Sequence, residues 1–364
     1  MTGRTVLLGA TGYTGDLVLE SLLRRGIEPV LAGRNRAAVR ERAERAGGLN
    51  YAFADVTDPA SIADLAGRGD VLITTVGPFE RFGYPVAEAA AAVGAHYIDS
   101  TGEVGFVREL RRRLHTRAYA ADAVMLPAFG YDYVPGILAG TLAAMQGGPA
   151  VRAVDIGYFA TGPLWRGLSR GTRTTMRDGV TLPSARWRGR RLIEERTASR
   201  VHGFTVRGRR RNAFLVSGTE VLCLPVTFPE LDAVTVYNGW FPGLSRAAVL
   251  LSAFAGIATR IPGGRSVIDG LTRPVIGPPG GPDAAERART GTHVVAVASD
   301  ENGTVAEIHL EGPSIYALTG ELIAWAAQQL ATNRFRDAGV VGPVEAFGFD
   351  ALLHGCADLG LVPV

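Results

Sequence analysis

Short apolar segments alternate with amphipathic segments along the first 130 residues. That alternation is typical of strands and helices joined into parallel βαβ units. The predicted strands are Thr5–Leu8, Pro29–Ala32, Tyr51–Ala54, Val71–Val76, His96–Ile98 and Val124–Leu126. The predicted helices between them include Tyr13–Arg25, Arg36–Ala46, Pro59–Leu65 and Pro85–Val93. Because several such units build a doubly wound parallel sheet, we expect residues 1–148 to form a Rossmann-type domain with its ligand at the carboxyl ends of the strands.

After residue 148 the pattern changes to extended segments separated by turns rich in Gly and Pro. These segments are Val154–Phe159, Val221–Pro225, Val234–Asn238, His293–Ser299 and Val305–Glu311. Because no crossover helices connect them, we expect residues 149–314 to form an α+β substrate domain with a mostly antiparallel sheet. Two further helices are predicted, Ile315–Thr332 and Pro343–Leu353. We expect them to pack back on the first domain as a C-terminal segment, residues 315–364.

The composition supports a folded chain and narrows the chemistry. With 364 residues, 47% of them hydrophobic, the chain has material for about two domains and a substantial core. Its formal charge of +3 gives no global attraction to nucleic acid. All 38 basic residues are Arg. The absence of Lys excludes Schiff-base chemistry and a lysine proton donor, because both need a titratable side-chain amine.

Cysteine and histidine give no sign of a disulfide framework or a metal site. Cys223 and Cys356 lie far apart, and the six His residues lack the spacing of metal ligands. The sequence enters a strand almost at once, and its longest uncharged apolar run, Ala247–Thr259, is too short to cross a bilayer. We therefore expect a cytoplasmic protein without a metal ion.

A glycine-rich turn, Gly9-Ala-Thr-Gly-Tyr-Thr-Gly15, lies between the first predicted strand and the first predicted helix. Glycines there allow a tight turn, close approach of the backbone to a pyrophosphate and close packing of helix on strand. The helix N-terminus then presents N–H groups to the phosphates. This position predicts a dinucleotide site, the alternative being a purely structural turn. The predicted contact residues are Gly9, Thr11, Gly12, Tyr13, Thr14 and Gly15.

The second strand ends at Gly33-Arg34-Asn35, where an enzyme that uses NAD usually carries an acidic residue for the ribose hydroxyl. The charge and forked donors of Arg34 instead suit the 2′-phosphate of NADP(H). We therefore predict NADP(H), with Arg34 and Asn35 beside it; a solvated arginine is the alternative. Asp55 is a further candidate contact, equally suited to cap a helix. The turn after the fourth strand supplies the remaining predicted cofactor contacts, Val76, Gly77, Pro78 and Phe79. The alternative is that this turn is tight for structural reasons only.

Five segments of the chain occur in an order that resembles a known family. They are Gly9–Gly15, Ala32-Gly33-Arg34, Val76-Gly77-Pro78-Phe79, His96–Glu103 and Phe129–Pro135. Together they resemble the saccharopine dehydrogenase-like oxidoreductases, and among them the bacterial trans-acting enoyl reductases. The resemblance spans the chain and is most specific up to residue 136. It implies an NADP-binding Rossmann domain, a second domain often used for dimerisation, and hydride transfer.

The resemblance places two polar segments at strand ends near the nicotinamide, and these supply the candidate proton donors. The first candidates are Tyr131, Asp132 and Tyr133, in a turn where polar side chains have no packing reason to cluster. The second are Asp99 and Glu103, although Asp99 is equally suited to cap a helix that begins near Glu103.

Candidate substrate contacts in the second domain are Ser169 and Thr172, with helix capping as the alternative. Nearby, residues 165–211 carry 14 Arg against three acidic residues, a local charge of +11 on a chain that is otherwise −8. Such a segment is a solvated, ion-paired face or a site for an acidic partner or anionic substrate. Through the resemblance, the acidic partner is an acyl carrier protein that holds the substrate. No nucleic-acid partner is predicted.

The apolar stretch Phe241–Ile261 predicts a homodimer interface or, alternatively, weak contact with a membrane surface. The expected function is an NADPH-dependent reductase of a C=C or C=N bond in a biosynthetic intermediate, either small or carrier-bound. The alternatives are a carbonyl reductase and a non-catalytic regulator that senses NADP.

Overall fold

A computed structural model describes residues 3–164, 168–179, 182–258 and 280–364. The chain divides into two compact units. The first unit comprises the chain up to Val134 together with Tyr316–Leu359, and the second comprises Pro135–Ile315 together with Gly360–Val364. Parts of Trp165–Arg211 and Phe241–Ile261, two segments singled out from the sequence, lie outside the described residues.

In chain order the strands are β1 (Thr5–Leu8), β2 (Val30–Gly33), β3 (Tyr51–Phe53), β4 (Val71–Thr74), β5 (His96–Asp99), β6 (Val124–Leu126), β7 (Ala153–Thr161), β8 (Pro183–Arg188), β9 (Arg191–Arg196), β10 (Val201–Val206), β11 (Arg209–Val216), β12 (Ala233–Asn238), β13 (Gly291–Ser299), β14 (Thr304–Gly312), β15 (Gly339–Val340) and β16 (Val362–Pro363). The α-helices are α1 (Tyr13–Arg24), α2 (Arg36–Arg45), α3 (Pro59–Ala63), α4 (Phe79–Val93), α5 (Val104–Ala120), α6 (Val134–Gly147), α7 (Arg170–Gly179), α8 (Glu220–Thr227), α9 (Ser245–Ala258), α10 (Ala284–Ala288), α11 (Ile315–Ala331), α12 (Pro343–Phe347) and α13 (Phe349–Asp358).

The sheet of the first unit is entirely parallel, with the order β15-β6-β5-β4-β1-β2-β3. This is the order of a doubly wound Rossmann sheet, so the predicted fold is confirmed. The register pairs Leu8 with both Ala32 and Thr74, and Thr74 with Asp99. The residues at and after the ends of β1, β2, β4 and β5 therefore meet at one edge, and this edge carries the predicted cofactor site.

The second unit is built on a sheet with the order β10-β11-β12-β7-β13-β14-β16, and β8 and β9 branch from β12. Its pairs are antiparallel except for β7 with β12. The predicted mostly antiparallel sheet is confirmed. The four strands from β8 to β11 form two hairpins from the Arg-rich segment, whose charges obscure the apolar alternation by which a strand is usually found.

The sequence predicts the first domain boundary at residue 148, whereas the structure divides the chain between Val134 and Pro135. Helix α6 therefore belongs almost entirely to the second unit. That helix packs on the second sheet: a Cβ on Gly140 would lie 2.6 Å from a Leu224 methyl group and 3.2 Å from one of Ile156. The helix is apolar on all sides and carries no charged residue, so its sequence does not show which sheet it covers. At the other end of the chain, β16 pairs with β14, which joins Gly360–Val364 to the second unit.

The expectation that Val221–Pro225 is extended is wrong, because this segment lies inside α8. A short apolar run does not distinguish a strand from a buried helical turn by periodicity alone. Two further helices have different limits from those expected. Helix α4 begins at Phe79 and contains Pro85, and Gly348, at a φ of +78°, separates α12 from α13.

The helices near the C-terminus form part of the first unit. Helix α11 lies against α1, where a Cβ on Gly320 would be only 3.0 Å from the carbonyl oxygen of Leu17. Further along α11 the ring of Trp325 is stacked on Phe129 at 6.2 Å and meets Phe347 edge-on at 4.8 Å. These contacts hold the turn after β6 against the C-terminal helices. None of the helices in the described ranges is long and apolar enough to cross a membrane.

Candidate cofactor and active site

The glycine-rich turn connects the end of β1 to the start of α1, and two of its glycines are required by the fold. Gly9 has a φ of +91°, which glycine adopts without strain, and its N–H donates to the carbonyl oxygen of Ala32 at 2.9 Å. A Cβ on Gly15 would lie 2.1 Å from the carbonyl oxygen of Gly9. Glycine at these positions therefore fixes the turn and lets α1 pack against β1.

Gly12 is different, because its backbone does not demand glycine and a Cβ there would make a single close contact. It is exposed, its φ of −87° and ψ of 162° suit any residue, and a Cβ would meet only the Gly9 carbonyl oxygen, at 3.3 Å. A bare backbone at the N-terminus of α1 instead leaves room for a pyrophosphate. Exposed Thr11 and half-buried Thr14 lie beside it. The turn thus fits a dinucleotide.

Arg34 follows β2 at the same edge of the sheet and is exposed. Within the described part of the chain its guanidinium has no hydrogen-bonding partner. The neighbouring Asp55 accepts hydrogen bonds from the N–H and hydroxyl of Thr57, at 2.9 and 2.7 Å. These bonds and, more weakly, the charge of Arg34 lower the pKa of Asp55. The Arg34 donors are therefore available to a 2′-phosphate.

The residues around Arg34 have local structural partners. The side-chain oxygen of Asn35 accepts from the N–H of Ala38 at 3.1 Å and caps α2. The guanidinium of Arg36 lies over the ring of Phe53, 4.4 Å from its centroid. Arg34 is thus the member of this group whose side chain is least committed to the fold.

The turn after β4 reaches the same edge through Val76, Gly77 and Pro78, of which the last two are exposed. The ring of Phe79 is buried against Phe106, with centroids 5.9 Å apart, and belongs to the core of the first unit. A polar contact that the sequence did not indicate joins this turn to the glycine-rich turn. The hydroxyl of Thr75 donates to the carbonyl oxygen of Gly9 at 3.3 Å.

Glu103 caps helix α4. Its two carboxylate oxygens accept the backbone N–H groups of Phe79 and Glu80, at 2.8 and 2.9 Å. A carboxylate at this end of a helix is also favoured by the helix dipole. This cap explains why α4 begins at Phe79, since no residue of the turn itself satisfies those N–H groups.

Asp99 is fully buried at the end of β5. Its Oδ1 accepts the N–H groups of Thr101 and Ala128, at 2.8 and 2.9 Å, and so holds the segments after β5 and β6 together. Burial raises its pKa to about 6, although these hydrogen bonds oppose the shift. A second buried group on β5, His96, accepts the N–H of Val124 through Nδ1 at 3.0 Å, and burial lowers its pKa to about 4.

The turn with the other candidate donors follows β6. The hydroxyl of Tyr133 donates to the carbonyl oxygen of Gly102 at 2.8 Å. The N–H of Tyr131 donates to the hydroxyl of Thr319 on α11 at 3.1 Å, a contact across 188 residues that local sequence patterns do not reveal. Asp132 is half-buried, and its carboxyl group has no hydrogen-bonding partner in the described ranges. Burial raises the pKa of Asp132 to about 6.

Ser169 and Thr172 lie in the second unit, at the start of α7. The hydroxyl of Ser169 accepts the N–H of Thr172 at 3.1 Å, and the two hydroxyl groups are 3.0 Å apart. This is the geometry of a helix cap. A contact of these residues with substrate stays a prediction.

Comparison with known proteins identifies the family. Residues 5–126 match the family model described as the saccharopine dehydrogenase NADP-binding domain. The chain is also 30% identical to a Mycobacterium tuberculosis protein named "Putative trans-acting enoyl reductase", over 98% of this chain and 96% of that protein. The chain belongs to the saccharopine dehydrogenase-like oxidoreductases. A trans-acting enoyl reductase of Mycobacterium ulcerans is 36% identical over 139 residues, which are 36% of this chain and 33% of that protein.

A solved structure supports the same fold. Apo saccharopine dehydrogenase (L-Glu forming) from Saccharomyces cerevisiae matches 100% of both chains with a TM-score of 0.62, at 14% sequence identity. As a member of this family the protein is an NADP-dependent oxidoreductase. NADP(H), the cofactor predicted from the sequence, is confirmed by the NADP-binding domain.

Proposed function

We propose that this oxidoreductase is an NADPH-dependent enoyl reductase that acts on a 2-enoyl thioester held by an acyl carrier protein. The observation that carries the proposal is the similarity, over nearly the whole length of both chains, to a protein named as a trans-acting enoyl reductase. The absence of Lys bears only on the proton donor, because it excludes lysine acid–base and Schiff-base chemistry in this chain.

Reduction of an enoyl thioester adds a hydride at C3 and a proton at C2, and bound NADPH supplies the hydride. The chain has to bind the dinucleotide, hold the thioester and provide the proton. The bare backbone at Gly12 and the N-terminus of α1 suit the pyrophosphate, and Arg34 suits the 2′-phosphate.

Asp132 is the candidate donor that the local contacts favour. Its pKa of about 6 keeps part of the carboxyl group protonated near neutral pH, and no described residue shares its proton. The other candidates are committed to the fold. Glu103 caps α4, and Tyr133 donates to Gly102. Asp99 holds two backbone N–H groups through Oδ1 and is fully buried, whereas Asp132 is half-buried. We assign the proton at C2 to Asp132, with Tyr131 as the next candidate.

The Arg-rich hairpins of the second unit supply a surface for an acidic carrier protein. Some of these arginines are neutralised within the unit: Arg186 and Arg200 are bound to Glu195, and Arg190 to Asp232. Others are free to act on a partner. Arg188 and Arg191 face each other across the β8–β9 hairpin, and neither has an ion-pair partner among the described residues. Uncompensated surface charge of this kind steers an oppositely charged partner.

The substrate class is tested by NADPH consumption with a matched panel of acceptors. The panel contains a 2-enoyl group on acyl carrier protein, the same group as a short free thioester, a cyclic imine and a ketone. We expect turnover with the two enoyl thioesters and faster turnover with the carrier-bound one. Turnover of the imine or ketone alone, or NADPH binding with no turnover of any acceptor, would overturn the assignment.

The carrier surface is tested by reversing two charges. Arg188→Glu with Arg191→Glu is expected to slow turnover of the carrier-bound substrate and to leave the free thioester unaffected. Arg112→Glu with Arg117→Glu on α5 changes the net charge equally and serves as the control. Added salt should reproduce the effect of the hairpin variant, because exposed charges are screened. An equal response of free and carrier-bound substrates would rule out the carrier surface.

A further inference from the structure

The second unit contains a cavity of about 510 Å³ that the proposed chemistry does not use. It lies among the end of β7, the turn between β10 and β11, and the segment that follows β12. Its wall combines three arginines with aromatic and apolar groups, namely Arg207, Arg209, Arg211, Phe159, Trp240 and Pro242. We call it the arginine cavity. Its volume lies within the range of about 300–1,000 Å³ that is typical of small-molecule sites.

Two of the three arginines bring uncompensated charge to the wall. Arg209 and Arg211 are two residues apart on β11, so their side chains lie on the same face of the strand. Neither forms an ion pair in the described part of the chain. Arg207, by contrast, is held by Glu311 through two hydrogen bonds of 2.5 and 2.7 Å. The cavity therefore presents two free guanidinium groups beside a third that is fixed in place.

The apolar side of the cavity is rigidly built. Phe159 is only 2% exposed and meets Phe204 edge-on at 5.8 Å. Gly239 allows this packing, because a Cβ there would lie 2.2 Å from the ring of Phe159. Trp240 is 9% exposed, and its backbone N–H donates to the side-chain oxygen of Asn238 at 3.0 Å. Phe159 therefore supports the wall from behind, and the apolar surface that a ligand can reach here is the exposed edge of Trp240.

We propose that the arginine cavity binds a phosphate monoester that carries an apolar or ring-containing body. Guanidinium groups present paired donors that match a phosphate, and two free positive charges suit its dianion better than a single carboxylate. The body of the ligand would pack on the exposed edge of Trp240 and on half-buried Pro242. Two sources share this chemistry, a phosphorylated aliphatic chain and a nucleoside 5′-phosphate.

The test is isothermal titration calorimetry of the full chain saturated with NADP, so that the dinucleotide site is occupied. Octyl phosphate and AMP are the two probes, and octanol and inorganic phosphate are the controls for each half of the ligand. We expect saturable binding of at least one phosphate ester, tighter than that of either control. Tighter octyl phosphate would identify the aliphatic source, and tighter AMP the nucleoside source.

A pair of variants locates the site. Arg209→Gln with Arg211→Gln is expected to weaken the ester at least about 10-fold, because two charge-assisted contacts are lost. Arg188→Gln with Arg191→Gln removes the same charge from the neighbouring hairpin and should leave the affinity unchanged. Unchanged affinity for NADP, measured before the dinucleotide site is saturated, shows that each variant is folded. The proposal is overturned if neither ester binds, if octanol binds as tightly, or if both variants weaken binding equally.

Discussion

Replacement of Gly12 by alanine separates the role of this residue in binding from its role in the fold. The backbone of Gly12 suits alanine, and the new Cβ would meet only the Gly9 carbonyl oxygen, at 3.3 Å. Alanine is a poorer N-cap than glycine, which costs the fold up to about 1 kcal/mol, and the loss of backbone freedom in the unfolded chain offsets part of that cost. The free energy of unfolding should therefore fall by no more than about 1 kcal/mol.

The same methyl group has a larger effect on the cofactor, because it occupies the space that the pyrophosphate needs. Displacing the phosphates breaks hydrogen bonds to charged oxygens, each worth about 1.5–3 kcal/mol. The dissociation constant of NADPH should rise about 10- to 100-fold. Calorimetric titration measures that constant, and urea unfolding without cofactor measures the stability.

Gly26→Ala provides the matched control at the other end of α1. Gly26 has a φ of +71°, so alanine is strained there by about 1–2 kcal/mol, but its Cβ would meet no atom within 4 Å. This variant should lose stability and keep its affinity for NADPH. If Gly12→Ala binds NADPH as tightly as the unchanged protein, or if Gly26→Ala loses as much affinity, the assignment of Gly12 to the pyrophosphate is wrong.

Three further predictions concern residues of the first unit. Arg34→Gln should weaken the binding of NADPH about 10- to 100-fold and leave the binding of NADH unchanged. Arg36→Gln is the control and should affect neither, because the Arg36 guanidinium lies over Phe53. Equal loss of affinity for both dinucleotides in calorimetric titration would contradict the assignment of Arg34 to the 2′-phosphate. Asp132→Asn should keep NADPH affinity and lower turnover roughly 100-fold, the scale of a lost general acid, and unchanged turnover would move the donor to Tyr131. Asp99→Asn should alter the pH dependence of the free energy of unfolding. The pKa of Asp99 is about 6 in the folded protein and about 4 in the unfolded chain, so the folded protein loses stability as the pH rises through this interval. The loss amounts to about 3 kcal/mol. The asparagine variant should not show this loss of stability. Parallel profiles of unfolding free energy against pH for the two proteins would contradict the raised pKa of Asp99.

The fold of the first unit could be predicted because its local signals agree. The expected strands Thr5–Leu8 and Val124–Leu126 have the limits seen in the structure. Each lies in a run of apolar residues bounded by turns, and the glycine-rich turn marks the start of α1. Parallel topology then follows from the alternation of strands and helices.

Features of the fold that depend on a residue distant in the sequence could not be predicted from local patterns. Helix α4 begins at Phe79 because Glu103, beyond the next strand, accepts its first N–H groups. Thr319 contacts the turn at Tyr131 from a helix 188 residues away. In the same way, local patterns did not reveal which arginines are paired, because Glu311, the partner of Arg207, lies on a different strand. Such contacts depend on tertiary structure and leave no periodic signal in the sequence.

The most direct test of the proposed activity is the fate of a labelled hydride. The enzyme is incubated with a 2-enoyl group on acyl carrier protein and with NADPH that carries deuterium at its hydride-donating carbon, and the product is examined by mass spectrometry and NMR. We expect a saturated thioester with one deuterium at C3 and a hydrogen from solvent at C2. An enoyl group that stays unreduced would contradict the proposed activity. So would parallel reactions with a ketone and an imine in which deuterium is found only at the reduced carbonyl or imine carbon.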